Sequence, residues 1–117
     1  MSHYDTNLDK NSANFVPLTP LTFLMRAKEI YPEYEAVIYE DRKYTWSKVY
    51  KRTIKFASAL NKIGVRKGDT VSFLAFNTPE IFEGHYSVPM SGAVLNTINI
   101  RLDAKTIAYI LEHSDAK

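Results

Sequence analysis

Thr70-Val-Ser-Phe-Leu-Ala-Phe76 and Ala93-Val-Leu-Asn-Thr-Ile98 are short, nearly continuous apolar runs, and a helix-length stretch opening Asn77-Thr78-Pro79-Glu80 separates them. Runs of this kind suit strands buried on both faces of a parallel sheet. Two strands joined by a crossover helix of about a dozen residues form a βαβ unit, so they should run parallel. Thr78 reads as the helix cap and Pro79 as its first residue, where the missing N–H costs nothing. Gly92 closes the helix, and Pro89 inside it deprives the His85 carbonyl of its partner, which predicts a kink.

The rest of the chain fits around this unit. Thr19-Pro20 opens a helix in which Leu21, Leu24, Ala27 and Ile30-Tyr31 recur at helical spacing until Pro32. Ala36–Tyr39 and Lys43–Thr45 read as a small hairpin turning at Glu40-Asp41-Arg42. Thr45 caps the longest helix, about Trp46 to Ile63, with Trp46, Val49, Tyr50, Thr53, Phe56-Ala57, Leu60 and Ile63 inward. Gly64 ends it in the left-handed conformation, and Val65 folds back on the last turn. Asp103 caps a final helix whose shared face is Ala104, Ile107-Ala108 and Leu111. The fold class is α/β: a partial open sheet with a βαβ crossover and a small N-terminal hairpin. A terminal helix after a βα pattern leads back into a sheet, and no strand follows this one, so the pattern is that of a sheet interrupted in mid-course.

With 117 residues, 45% hydrophobic and 13% aromatic, the chain is expected to be one folded domain. There are no cysteines, which excludes disulfides and thiolate metal sites and suits a cytoplasmic location. No apolar run approaches the roughly 20 residues of a membrane span. The start, MSHYDTNLDKNSAN, reads as a flexible polar leader over 1–14, without a signal-peptide pattern.

Where the strand meets the helix, a ligand site is the natural expectation. Phosphate cradles need glycines for close backbone approach, and Phe76–Ile81 has none. Thr78 and Pro79 are explained by capping, although the partial positive charge of the helix end remains. Glu83 and His85, two apart, point to different sides of a helix. The three histidines form no HxxxH or HxH pattern. The expected set of catalytic, cofactor-binding and metal-binding residues is therefore empty.

Charge offers a rival reading. From Arg42 to Gly68 stand Arg42, Lys43, Lys48, Lys51, Arg52, Lys55, Lys62, Arg66 and Lys67, with no acidic residue among them. Lys48, Arg52, Lys55 and Lys62 fall near one outer face of helix 46–63, a stripe suited to nucleic acid or an acidic membrane surface. Against it stand the net charge of +2, acids at Glu29, Glu33, Glu35 and Glu40, and aromatics that fall on the buried face instead of among the bases. Nucleic acid is accordingly not expected as a partner.

The order of segments resembles a known family. Leu18-Thr-Pro-Leu-Thr-Phe-Leu24, Tyr44-Thr-Trp-Ser-Lys-Val-Tyr50, Leu60-Asn-Lys-Ile-Gly-Val-Arg-Lys-Gly-Asp-Thr-Val71, Phe76–Glu80, Val88–Leu102 and Ile107–His113 are similar to the opening of an AMP-forming acyl-CoA synthetase. This is the adenylate-forming superfamily, and the likeness, from about Phe15 to Lys117, is greatest to its medium- and long-chain fatty acyl branch. Tyr44–Tyr50 resembles the family's first core motif and Ser91–Leu102 its second.

The resemblance implies that 15–117 is the N-terminal α/β portion of a larger synthetase domain. The parent would use ATP, Mg2+ and coenzyme A to convert a fatty acid into an acyl-adenylate and then an acyl-CoA. The Ser/Thr/Gly-rich phosphate loop, the nucleotide contacts and the small C-terminal domain do not occur in these residues. No catalytic residue of the family maps here, no cofactor is expected to be bound here, and the segment alone is expected to be an inactive scaffold. Its implied partners are the remainder of the synthetase domain and, through the N-terminal domain, a second copy. The alternatives are a self-standing interaction module using helix 46–63 and a truncated regulatory paralogue.

Overall fold

The structure, a computed structural model, describes residue 7 and residues 9–117. The expected leader, 1–14, thus falls partly outside the described residues. The elements are helix α1 (Pro20–Ile30), strands β1 (Glu35–Tyr39) and β2 (Arg42–Thr45), helix α2 (Trp46–Lys62), strand β3 (Thr70–Leu74), helix α3 (Pro79–Met90), strand β4 (Val94–Ile98) and helix α4 (Ala104–His113).

Local sequence chemistry sets most of these boundaries. Thr19 and Thr22 form a reciprocal capping box at the start of α1. The Lys48 amide donates to Thr45 Oγ1 at the start of α2, and two amides, of Lys105 and Thr106, donate to Asp103 Oδ1 at the start of α4. Gly64 takes φ +99°, a conformation that a Cβ would strain, and the Val65 amide returns to the Leu60 carbonyl at 3.1 Å. Helix α3 continues through Pro89 to Met90.

β1 and β2 pair antiparallel, with a register shift between Glu35 and Val37; β3 and β4 pair parallel, Thr70 opposite Val94 through Leu74 opposite Ile98. The chain also rejoins the sheet after α4, which the sequence reading did not foresee. Ala116 bridges Thr70 in parallel, and the Lys117 amide donates to the Thr70 carbonyl at 3.0 Å. Too few apolar residues stand at 114–117 to announce a strand. The local order is residues 116–117, then β3, then β4. Val71 and Phe73 meet α3, whereas Asn96, hydrogen-bonded to Ser72, meets Ser114 at the end of α4. The two helices thus lie toward opposite faces of the sheet, as the usual right-handed crossover requires.

Two cores result. Leu24, Tyr44 and Val49 join α1, the hairpin and α2, with Phe82, Tyr86 and Met90 of α3 against them. Leu60, Val65, Val71, Val88 and Ala93 join the C-terminal half of α2 to α3 and the sheet, with Phe56, Phe73 and Leu95 alongside. Helices α2 and α3 bridge both cores.

The burial expected for the strands is only half realised. Val71 is buried on the α3 side, whereas Leu74 is 53% exposed and Val94 55%. On α4, Ile107 and Ile110 are half-buried, while Ala104, Ala108 and Leu111, assigned to its inner face from spacing, are exposed. Ile63, assigned to the inner face of α2, is also exposed. The accessible surface is 8832 Å², against about 6,500 Å² for a compact domain of this mass. The Cα radius of gyration, 18.0 Å, likewise exceeds the roughly 13 Å of such a domain.

Candidate functional site

The carboxyl ends of β3 and β4 open into a shallow cavity of about 670 Å³. Tyr39, Phe76, Asn77, Ile81, Asn99 and Arg101 contribute to its lining. Residues 75–78 turn sharply, the Thr78 amide donating to the Phe76 carbonyl at 2.7 Å. Thr78 then occupies the cap position of α3 with extended backbone, as its sequence suggests, but its side chain makes no capping hydrogen bond.

The positive end of α3 already faces an anion of its own chain. Glu80, in the first helical turn, accepts a hydrogen bond from Arg42 Nη1 at 2.7 Å. Arg42, then the Thr78 hydroxyl and the Glu80 amide, hold the Glu80 carboxyl down at about 2. The helix end is thus tied to the hairpin through an internal ion pair.

A second pair lies deeper. Arg52 Nε of α2 donates to Glu83 Oε1 of α3, whose side chain is 5% exposed. Arg52 also approaches Glu80, Nη2 to Oε1, at 3.9 Å. Tyr44 completes the cluster, with the Lys48 ammonium 4.6 Å and the Arg52 guanidinium 5.0 Å from its ring centre. The sequence reading placed Arg52 on the outer face; the structure turns it toward α3. In the sequence Glu83 stands out only as a neighbour of His85. The available signal was the i, i+3 spacing of Glu80 and Glu83 opposite a helix rich in bases.

His85 is exposed, its Nδ1 2.8 Å from the Ile81 carbonyl oxygen one turn earlier, and it does not face Glu83. Among the described residues, no group of three or more His, Asp or Glu could hold a metal ion. On the other sheet face, Asn96 Nδ2 donates to Ser72 Oγ at 2.9 Å and to Ser114 Oγ at 3.3 Å. These contacts join both strands to the end of α4. These ion pairs and hydrogen bonds link two helices, the hairpin and the sheet.

That sheet, with its hairpin and capped helices, has close counterparts. A family model described as AMP-binding enzyme matches residues 24–117, and the chain belongs to this family of adenylate-forming enzymes. Its relatives include CoA ligases. The chain is 53% identical over 110 residues to the peroxisomal trans-cinnamate:CoA ligase of Petunia hybrida, covering 94% of this chain and 19% of that protein. It is 51% identical over 111 residues to the peroxisomal butyrate--CoA ligase AAE11 of Arabidopsis thaliana, covering 95% and 19%. The O-succinylbenzoate coenzyme A synthetase (MenE) of Bacillus subtilis, solved with ATP and magnesium ion, matches with a TM-score of 0.76 and 29% identity. That match covers 80% of this chain and 26% of the MenE chain. The chain thus spans about a fifth of the length of the curated relatives it matches. No helix among the described residues is long and apolar enough to cross a membrane.

Proposed function

We propose that these residues form the first scaffold layer of an ATP-dependent acid–CoA ligase. The whole protein would join a carboxylic acid to ATP, with Mg2+, to give an acyl-adenylate and pyrophosphate, then transfer the acyl group to the coenzyme A thiol. The uncovered face of the sheet carries the scaffold reading. A segment with Leu74, Val94 and Phe76 uncovered, and with Arg42, Arg52, Glu80 and Glu83 committed to packing between its elements, has the form of a support awaiting further layers.

In this reading the 117 residues hold no catalytic, cofactor-binding or metal-binding side chain and are inactive alone. Residues 15–117 are the α/β portion of the domain, and 1–14 are its leader. The relatives are named for trans-cinnamate and butyrate, and the family likeness extends to fatty acids, so the acid itself is to be found by a panel of all three classes. A cytoplasmic location and a homodimer through this region belong to the same proposal, with the peroxisome of the relatives as the competing location.

ATP–pyrophosphate exchange tests it. The 117 residues should give no acid-dependent exchange, and the whole protein should give it with at least one acid of the panel. Exchange by the 117 residues alone would overturn the scaffold reading, and none by the whole protein would overturn the ligase reading.

A further inference from the structure

Helix α2 carries more cations than the fold uses. Arg42, Lys43 and Arg52 are paired with Glu80, Glu35 and Glu83. Lys48, Lys51, Lys55, Lys62, Arg66 and Lys67 are exposed, and among the described residues none of their side-chain cationic nitrogens has a carboxylate oxygen within 4.0 Å. At about 100° per residue, Lys48, Lys51, Lys55 and Lys62 fall within about 60° of arc. They run along about 21 Å of helix, and Arg66 and Lys67 follow just beyond its end. Arg52 has left this stripe for α3, and Lys51 takes its place.

We propose that this face docks the protein on an anionic bilayer surface. Three observations favour a membrane over nucleic acid. The face is almost entirely lysine, a hydrated point charge suited to diffuse attraction, whereas both Arg42 and Arg52 are engaged internally. Ile54 and Ile63 are exposed on either side of the stripe, where each can enter the interfacial layer beside lysines whose stems lie along it. No aromatic ring stands exposed on the stripe to stack a base: Tyr50 and Phe56 are half-buried in the cores, and Tyr44 is covered by Lys48 and Arg52. Docking is electrostatic and peripheral, since two isoleucines give little apolar anchorage.

The inference does not rest on the ligase reading, because its readout is partitioning and not turnover. The whole protein is sedimented with vesicles of phosphatidylcholine alone and of equimolar phosphatidylcholine and phosphatidylserine. Binding is expected only to the anionic vesicles and should be released near 1 M salt, where the screening length falls to about 3 Å. The triple variant Lys51→Glu, Lys55→Glu, Lys62→Glu should lose at least about a hundredfold in partitioning. A Lys→Gln triple, with circular dichroism and melting checked against wild type, should fall between the two. Equal partitioning onto both vesicles, undiminished binding by a folded triple variant, or binding to single-stranded RNA without binding to anionic vesicles would each overturn the proposal. The salt titration of unmodified protein decides the matter even if the variants fail to fold.

Discussion

Arg52 reaches across from α2 to the almost fully buried carboxylate of Glu83 on α3, and these two helices are the ones that link the two cores. Removing the arginine leaves a desolvated charge without its partner, which is more costly than losing the pair together. Arg52→Ala should destabilise the protein by about 3 kcal/mol, near the lower end for such losses because the guanidinium is itself partly solvated. Glu83→Gln should cost less, and the double substitution should cost less than the sum of the single ones. A double-mutant cycle in urea measures this, and a coupling below about 0.5 kcal/mol would contradict the assignment.

Glu80 gives a prediction in pH. Its carboxyl is lowered from 4.5 to about 2, chiefly by Arg42. A lowered folded pKa means that the unfolded chain takes up the proton first as pH falls. The stabilisation is therefore complete above about pH 4.5 and is lost as pH drops toward 2. A carboxyl NMR titration should show the Glu80 midpoint displaced below 4.5, moving back up toward 4.5 in Arg42→Leu. Because both side chains are largely exposed, the whole effect on stability should stay below about 1 kcal/mol. A wild-type midpoint near 4.5 would remove the pair from solution.

The element order, the hairpin and the parallel pair were legible because caps, glycines and apolar periods are local signals. Arg52 shows where that legibility stops. It lies about 40° around the helix from Phe56, on the border of the buried arc, and period alone assigns such a residue to either side. Its partner is 31 positions away, on another helix. Ala116 was illegible for a related reason: its place beside Thr70 is set by the crossover, not by its own neighbours. The exposure of Leu74 and Val94 was unexpected because apolar runs report what a strand is built to meet, not whether that partner is in the same segment. At the candidate site, the Arg42–Glu80 and Arg52–Glu83 pairs join residues far apart in sequence and on different elements, so they required the packing to be known.

The threonine caps should differ in strength. Thr45 Oγ1 accepts from the Lys48 amide, whereas Thr78 makes no side-chain cap bond to α3. Thr45→Ala should cost about 1 kcal/mol, and Thr78→Ala only a few tenths. Equal losses in parallel urea titrations would show that Thr78 is used as a conventional cap in solution.

Gly84 sits in the interior of α3, where alanine would ordinarily stabilise a helix by about 1 kcal/mol. Here a Cβ would stand 2.9 Å from Phe73 Cζ and 3.1 Å from Cε1. The ring cannot withdraw freely, because it packs edge-on against Phe56 with centroids 5.8 Å apart and faces the Leu60–Val88 core. Overpacking of this kind costs about 1–3 kcal/mol and should outweigh the gain in propensity. Gly84→Ala is therefore expected to lower stability by about 1 kcal/mol, and Gly84→Val by more. Phe73→Leu removes the obstructing ring edge, so in that background Gly84→Ala should become neutral or stabilising. The sign reversal, read from urea midpoints of the four proteins, separates a steric contact from a general intolerance of the site. If Gly84→Ala stabilises the unmodified protein, α3 and the sheet are farther apart than the Gly84–Phe73 contact requires.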